Sequence, residues 1–299
     1  MKLLPSLKQL EYLTALDDSQ HFGKAAEACH VSPSTLSAGV RDLEQLLGAP
    51  VAERTKRRVV ILPLGQEIAS RARRLLRDAE DIMALAAARN APLTGLLRLG
   101  VIPTIAPFLL PMVMPGLHAA YPDLRLVLRE DQTEALLADL RGGQIDLALI
   151  ALPYELDGLT SLDLFEDRFQ LACPAGHELA GKKLIVHQEL ADQPLLLLEE
   201  GHCLRGHALE ACHLDRHRRM AEFEATSMHT LVQMVATGLG ITLLPQIAID
   251  ARITAATDIR LIPLAGGDAS RRIGLVWRRA SPRAAEFALL GKALTPAGH

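Results

Sequence analysis

Glu199-Glu200-Gly201-His202-Cys203-Leu204-Arg205-Gly206-His207, followed by Cys212-His213, gathers the residue types of this chain that can do chemistry. A cysteine meets oxidants and electrophiles as its thiolate, and nearby cations or a helix N-terminus favour that form. His202 adjoins Cys203, and Arg205 and His207 lie within four positions of it. The apolar run Leu195 to Leu198, followed by Glu199-Glu200-Gly201, reads as a strand ending in a turn. Leu204 to Ala211 then reads as a short helix with Cys203 near its N-terminus, where the peptide dipoles favour an anion. Cys203 is therefore a candidate reactive thiol; the competing reading makes Cys203 and Cys212 ordinary buried thiols.

Cys203 and Cys212 are nine residues apart, so a continuous helix would hold their Cα atoms about 13.5 Å apart on opposite faces. A disulfide needs roughly 4.4 to 6.8 Å. Oxidising the pair would thus require the segment to unwind, which makes oxidation a structural event. A metal sensor is the rival suggested by His202, Cys203, His207, Cys212, His213 and His217, but no C-x-x-C pair is present and a helix would scatter these ligands, so no metal or cofactor is expected. Cys29 and Cys173 read as buried structural residues.

The 299 residues suit about two domains. Apolar content of 49% is ample for cores, and an aromatic share of 3% argues against an aromatic-lined ligand site or a base-stacking surface. The start reads as lacking a signal peptide, and the most apolar region, Val101 to Leu117, is interrupted by Pro103, Pro107, Pro111 and Pro115, so a soluble cytoplasmic protein without a membrane partner is expected. Residues 1–77 carry 12 Lys+Arg against 8 Asp+Glu, and residues 78–299 carry 20 against 27. A basic head on an acidic body suits nucleic-acid binding by the head.

The elements that position these groups follow in order. Leu7, Leu10, Leu13 and Leu16 mark a first amphipathic helix, and Phe22 to Cys29 a short alanine-rich second. Ser32 as N-cap, Pro33 as first helical residue and Gly48 as terminator define a third. The pair makes a helix-turn-helix whose second helix, with Ser32, Ser34, Thr35, Ser37 and Arg41, would enter a DNA major groove. Glu53 to Pro63 alternates into a basic hairpin whose Arg54, Lys56, Arg57 and Arg58 would meet phosphates. Gly65 to about Ala88 reads as one long helix with an apolar stripe including Ile68, Ala72, Leu75, Ile82 and Met83. The body alternates strand and helix in two α/β units, each expected to have a mainly parallel sheet. Ligands of such sheets bind beyond the carboxyl ends of strands, which singles out Thr104, the Asp131-x-x-Glu134 capping-box pattern around Thr133, and Thr226-Ser227.

Phe22-Gly23-Lys24-Ala25-Ala26, Val31-Ser32, Thr35-Leu36-Ser37, Leu43-Glu44, Leu47-Gly48, Glu53-Arg54 and Pro63-Leu64-Gly65 resemble the LysR-type transcriptional regulators. Pro33 and Gly39 depart from the usual recognition-helix pattern. The resemblance implies an α/β chain with an all-α winged helix-turn-helix head over 1–64, a linker and dimerisation helix over 65–91, and a two-lobed periplasmic-binding-protein-like body. Lobe I would span 92–165 plus 266–299 and lobe II 166–265. Thr133, Thr226 and Ser227 would line an effector cleft. Leu197 to Arg205 with Cys212, together with Ile102-Pro103-Thr104, Ala225-Thr226-Ser227, Gly240 to Pro245 and Arg272 to Val276, is similar to the peroxide-sensing members of the family. That likeness implies Cys203 as the peroxidatic and Cys212 as the resolving cysteine, with Thr104, His202 and Arg205 positioning hydrogen peroxide and tuning the thiolate. It further implies a regulator rather than an enzyme, acting as a homodimer or homotetramer. Its expected partners are double-stranded promoter DNA, RNA polymerase and a glutaredoxin- or thioredoxin-type reductant. The alternative is a LysR-type regulator answering to a small-molecule effector between the lobes.

Overall fold

The computed structural model describes residues 4–54, 59–88, 92–190, 193–211, 224–265 and 269–296. The chain divides into two compact units, residues 1–90 with 142–144 and residues 91–141 with 145–299.

The first unit begins with α1 (Leu7–Ser19), α2 (Phe22–Ala28) and α3 (Pro33–Leu47). Ser6 and Gln9 form a reciprocal capping box at α1, and the His21 ring nitrogen accepts from Gly23 and Lys24 at the start of α2. Ser32 caps α3 by accepting from the Thr35 amide at 3.1 Å, with Pro33 at its first position. Gly48 ends that helix at φ 70°, a left-handed conformation glycine adopts without strain. Leu13, Leu16, Ala25, Ala26, Leu36, Val40 and Leu43 form the shared core. Strands β1 (Ala52–Arg54) and β2 (Val59–Ile61) pair antiparallel as the wing. Helix α4 (Pro63–Ala88) follows for 26 residues, about 39 Å. On its apolar stripe Leu75, Ile82 and Met83 are 54%, 68% and 72% exposed in the single chain.

Gly39, which breaks the usual recognition-helix pattern, answers to packing. A Cβ there would lie 2.5 Å from Cδ2 of the buried Tyr12 ring, so no base-reading side chain fits. Helix propensity alone favours alanine over glycine by about 1 kcal/mol, while overpacking costs about 1 to 3 kcal/mol. Gly39→Ala is therefore expected to destabilise the head by about 1 kcal/mol net, or to be neutral at the lower bound, with the effect appearing as faster hydrogen exchange of the α1 to α3 amides.

The second unit contains β3 (Gly95–Val101), α5 (Ala106–Ala120), β4 (Leu124–Glu130), α6 (Thr133–Gly142), β5 (Leu147–Leu152), β6 (Leu159–Pro174), β7 (Leu197–Leu198) and α7 (Cys203–Ala211). Then come β8 (Glu224–Ala225), α8 (Met228–Ala236), β9 (Thr242–Pro245), α9 (Gln246–Asp250), β10 (Ile259–Pro263), β11 (Ser270–Arg278) and α10 (Ala284–Leu294). A seven-stranded sheet runs β10-β6-β11-β5-β3-β4, with β9 also beside β6. Within it β3 pairs in parallel with β4 and β5, whereas β11 and β6 make antiparallel pairs, so the sheet is mixed. The sequence expectation of Phe169–Cys173 captured under half of β6, a 16-residue strand that runs unbroken through the 165/166 boundary expected between lobes. From Thr160 to Leu164 half-buried and exposed residues alternate opposite β11. Pro111 and Pro115 lie inside α5 rather than breaking it; both are exposed, where water can reach the freed carbonyls. No helix among the described residues is long and apolar enough to cross a membrane.

Candidate redox site

Strand β7 pairs in parallel with β8, Leu198 opposite Ala225, and delivers the chain to Glu199-Glu200-Gly201. Gly201 turns it at φ 97°; a Cβ there would be strained and would collide with the Gln132 side-chain amide. Cys203 is the first residue of α7 and half-buried, its apolar side packed on the core. In front of it opens a cleft of about 550 Å³ lined by Gln132, Glu134, Tyr154, Glu200, His202 and Arg205, among others.

His202 is buried, with Nε2 3.8 Å from a Glu199 carboxylate oxygen, and its carbonyl accepts from the Arg205 amide at 3.1 Å. The Arg205 Nη1 donates to the Leu198 carbonyl at 3.1 Å and to Glu224 at 2.6 Å. Both residues thus fasten the turn and the first turn of α7 to β7 and β8. His207, one helical turn past Cys203, lies against the Pro153 carbonyl and beside Arg271; burial first and the Arg271 charge second push its pKa below the ordinary histidine value. His202 and His207 therefore have different neighbours. Cys212, His213 and His217 lie outside the described residues.

Thr104 is 2% exposed and committed: its hydroxyl accepts from Arg271 Nη1 at 2.8 Å and its carbonyl from Nη2 at 3.0 Å. Arg271 also pairs with Asp167 at 2.9 Å, both side chains fully buried, and the other Asp167 oxygen accepts from the Ile247 amide at 3.0 Å. This network ties the loop after β3, the strands β6 and β11, and α9 together. Sequence reasoning missed Arg271 and Asp167. The signal was present, because each falls in phase with buried neighbours, Arg271 with Ile273 and Leu275, Asp167 with Phe165 and Phe169. A charge at such a position needs a partner.

Thr133 is 2% exposed, and its hydroxyl has no hydrogen-bond partner among the described residues. The expected Asp131-x-x-Glu134 capping box does not form: α6 starts only at Thr133, the Asp131 carboxylate accepts from the adjacent Gln132 amide, and Glu134 instead accepts from the Tyr154 hydroxyl at 3.2 Å. Ser227 caps α8 by accepting from the Thr230 amide at 3.2 Å, and Thr226 is exposed. Neither lines the cleft before Cys203. A second cavity of about 630 Å³ lies on the other side of α7, with Pro153, Phe165, Glu166, His207 and Arg271 in its wall.

On α3, Ser32, Ser34, Thr35 and Arg41 are exposed and Ser37 half-buried. The Ser32 hydroxyl also lies 2.8 Å from those of Ser34 and Thr35, a polar cluster at the helix N-terminus. Arg54 ends β1, and Lys56, Arg57 and Arg58 fall outside the described residues.

Residues 7–66 match the bacterial regulatory helix-turn-helix protein model of the lysR family, and residues 90–297 the LysR substrate binding domain. The chain is 40% identical over 287 residues to the HTH-type transcriptional regulator EstR of Acinetobacter baylyi, covering 96% of this chain and 95% of that protein. It is 44% identical over 280 residues to a probable hydrogen peroxide-inducible genes activator of Mycobacterium avium, covering 93% and 90%. Its fold matches a cysteine-to-serine mutant of Corynebacterium glutamicum OxyR with hydrogen peroxide bound, at a TM-score of 0.66 and 36% identity, covering 98% and 94%.

Proposed function

Because the chain belongs to the LysR family of bacterial transcriptional regulators, and within it to the OxyR-like, peroxide-inducible activators, we propose that Cys203 is the peroxide-sensing thiol of this DNA-binding regulator. The Cys203 thiolate attacks one oxygen of hydrogen peroxide, the O–O bond breaks, hydroxide leaves, and the sulfur becomes a sulfenic acid. The Cys212 thiol condenses with it, releasing water and leaving a disulfide, which a thiol reductant of the glutaredoxin or thioredoxin type reopens by exchange. The observation that carries this reading is the contrast among cysteines. Burial pushes the thiols of Cys29 and Cys173 up, away from the reactive form, whereas Cys203 opens onto a cleft at a helix start. His202 and Arg205 act by holding Cys203, and Thr104 by its place in the Arg271 network.

The output follows from covalent geometry. The helix from Cys203 to Ala211 separates its ends by about 12 Å. A residue one peptide further on cannot return closer than about 8 Å while that helix persists, beyond the roughly 6.8 Å a disulfide spans. Oxidation therefore breaks α7, and the lobes and the subunit interface respond. We assign that interface to the exposed stripe of α4, which a second copy would cover in a homodimer or homotetramer, and promoter DNA to α3 and the wing, with RNA polymerase as the recipient of the signal.

Effector binding is the second reading, favoured by the 630 Å³ cavity, a size that suits a metabolite, and by the likeness to EstR. Footprinting with reduced and peroxide-treated protein, with no metabolite added, separates the two. Sensing by Cys203 requires the protected region to change on peroxide alone; an unchanged footprint overturns it.

A further inference from the structure

The cleft before Cys203 carries an electrostatic bias that the reaction itself does not need. Among the described residues three ionised side chains line it, Glu134, Glu200 and Arg205. The Arg205 guanidinium is neutralised by Glu224 at 2.6 Å and turned to the Leu198 carbonyl. Two carboxylates remain, both exposed. Glu134 accepts from the Tyr154 hydroxyl, which fixes the carboxylate at the rim but leaves its charge in place. Burial, Glu134 and the nearness of Cys203 raise the Tyr154 phenol's pKa, which keeps it a neutral donor. A cleft of 550 Å³ is about 10 Å across if roughly spherical, no wider than the screening length at about 0.1 M salt. A molecule inside it therefore stands within reach of both charges.

We propose that Glu134 and Glu200 form a charge filter that makes Cys203 selective for uncharged peroxides, hydrogen peroxide and small alkyl hydroperoxides, over anionic oxidants. The proposal deepens the peroxide-sensing reading and rests on it for its biological meaning. An uncharged peroxide crosses the rim without Coulombic work, while a monoanion is repelled by like charges and meets a lower local concentration at the sulfur. The chemistry past the rim is the same in either case. With peroxymonosulfate the thiolate takes the terminal oxygen, the O–O bond breaks, and sulfate leaves in place of hydroxide.

Two probe pairs test the filter in the full chain. One is hydrogen peroxide against peroxymonosulfate; the other is iodoacetamide against iodoacetate, which alkylate the same thiolate with loss of iodide and differ by one negative charge. Modification at Cys203 is followed by peptide mass spectrometry in the native chain, Glu134→Gln with Glu200→Gln, and Tyr154→Phe. The doubly substituted chain is expected to raise the anionic-to-neutral rate ratio roughly tenfold in both pairs at low salt, a ratio in which any change in the thiolate fraction of Cys203 cancels. In the native chain the anionic-to-neutral ratio rises with ionic strength. Tyr154→Phe, which keeps both charges, holds the ratio near the native value. A ratio that stays within twofold of native in the double variant, or that Tyr154→Phe raises as much, overturns the proposal. Failure of hydrogen peroxide to oxidise Cys203 strikes the sensing reading instead, and the alkylating pair still decides the filter.

Discussion

Cys203→Ser is expected to abolish the peroxide-dependent change in footprint while the reduced chain keeps its affinity for promoter DNA within about twofold, the range of roughly 0.5 kcal/mol that a near-isosteric change away from the interface leaves. A hydroxyl in place of the thiolate removes the nucleophile, and neither Cys29 nor Cys173 can replace it, since both are buried. Moving a population from about 1:99 to 99:1 requires about 5.5 kcal/mol of bias. A covalent bond that cannot form while α7 is intact supplies bias of that order, because the helix and its packing must be given up before the sulfurs meet. Cys212→Ser separates the two steps: intact mass should show a sulfenic acid on Cys203 and no disulfide. A Cys203→Ser chain that still switches on peroxide would remove the mechanism altogether.

Asp167→Ala is expected to be the most destabilising single change in the second unit, by about 3 to 5 kcal/mol, measured by urea denaturation at neutral pH. Asp167 and Arg271 are both fully buried, so no solvent screens their attraction and none hydrates the guanidinium once its partner is gone. The loss extends beyond the pair. The Ile247 amide would lose its acceptor, and Thr104 would keep an Arg271 no longer anchored from β6. Removing both charges, with Asp167→Leu and Arg271→Met, is expected to cost less than Asp167→Ala alone, because no unpaired charge is then left inside. A double variant less stable than the single one would refute that account.

Short-range signals in the chain specify the head almost completely. Caps at Ser6, Ser32 and Gly48, the proline at position 33 and the 3.6-residue apolar spacing each act within a few residues, and the helices form where those signals put them. The start of α7 and the turn at Gly201 were legible for the same reason; the cations expected around Cys203 are committed elsewhere, Arg205 to Glu224 and His207 beside Arg271 with its pKa lowered. Contacts between residues far apart in the chain decide the rest. Thr104 was legible as a hydroxyl after a strand, yet its partner Arg271 is 167 positions away. Gly39 carries meaning only once Tyr12 packs on it. The missing part of β6 was hidden because its two-residue pattern changes phase, Leu162 and Leu164 flanking Asp163 but Glu166 and Arg168 flanking the buried Asp167, at a register shift that is absorbed only when β11 lies alongside. The charge of the cleft could not be read from the run Glu199 to His207 alone: Glu134 and Tyr154 come from other elements, and Glu224 cancels Arg205 from across the β7/β8 pair. Local chemistry marked Cys203 as the candidate thiol, and long-range packing set which charged groups stand in the cleft before it.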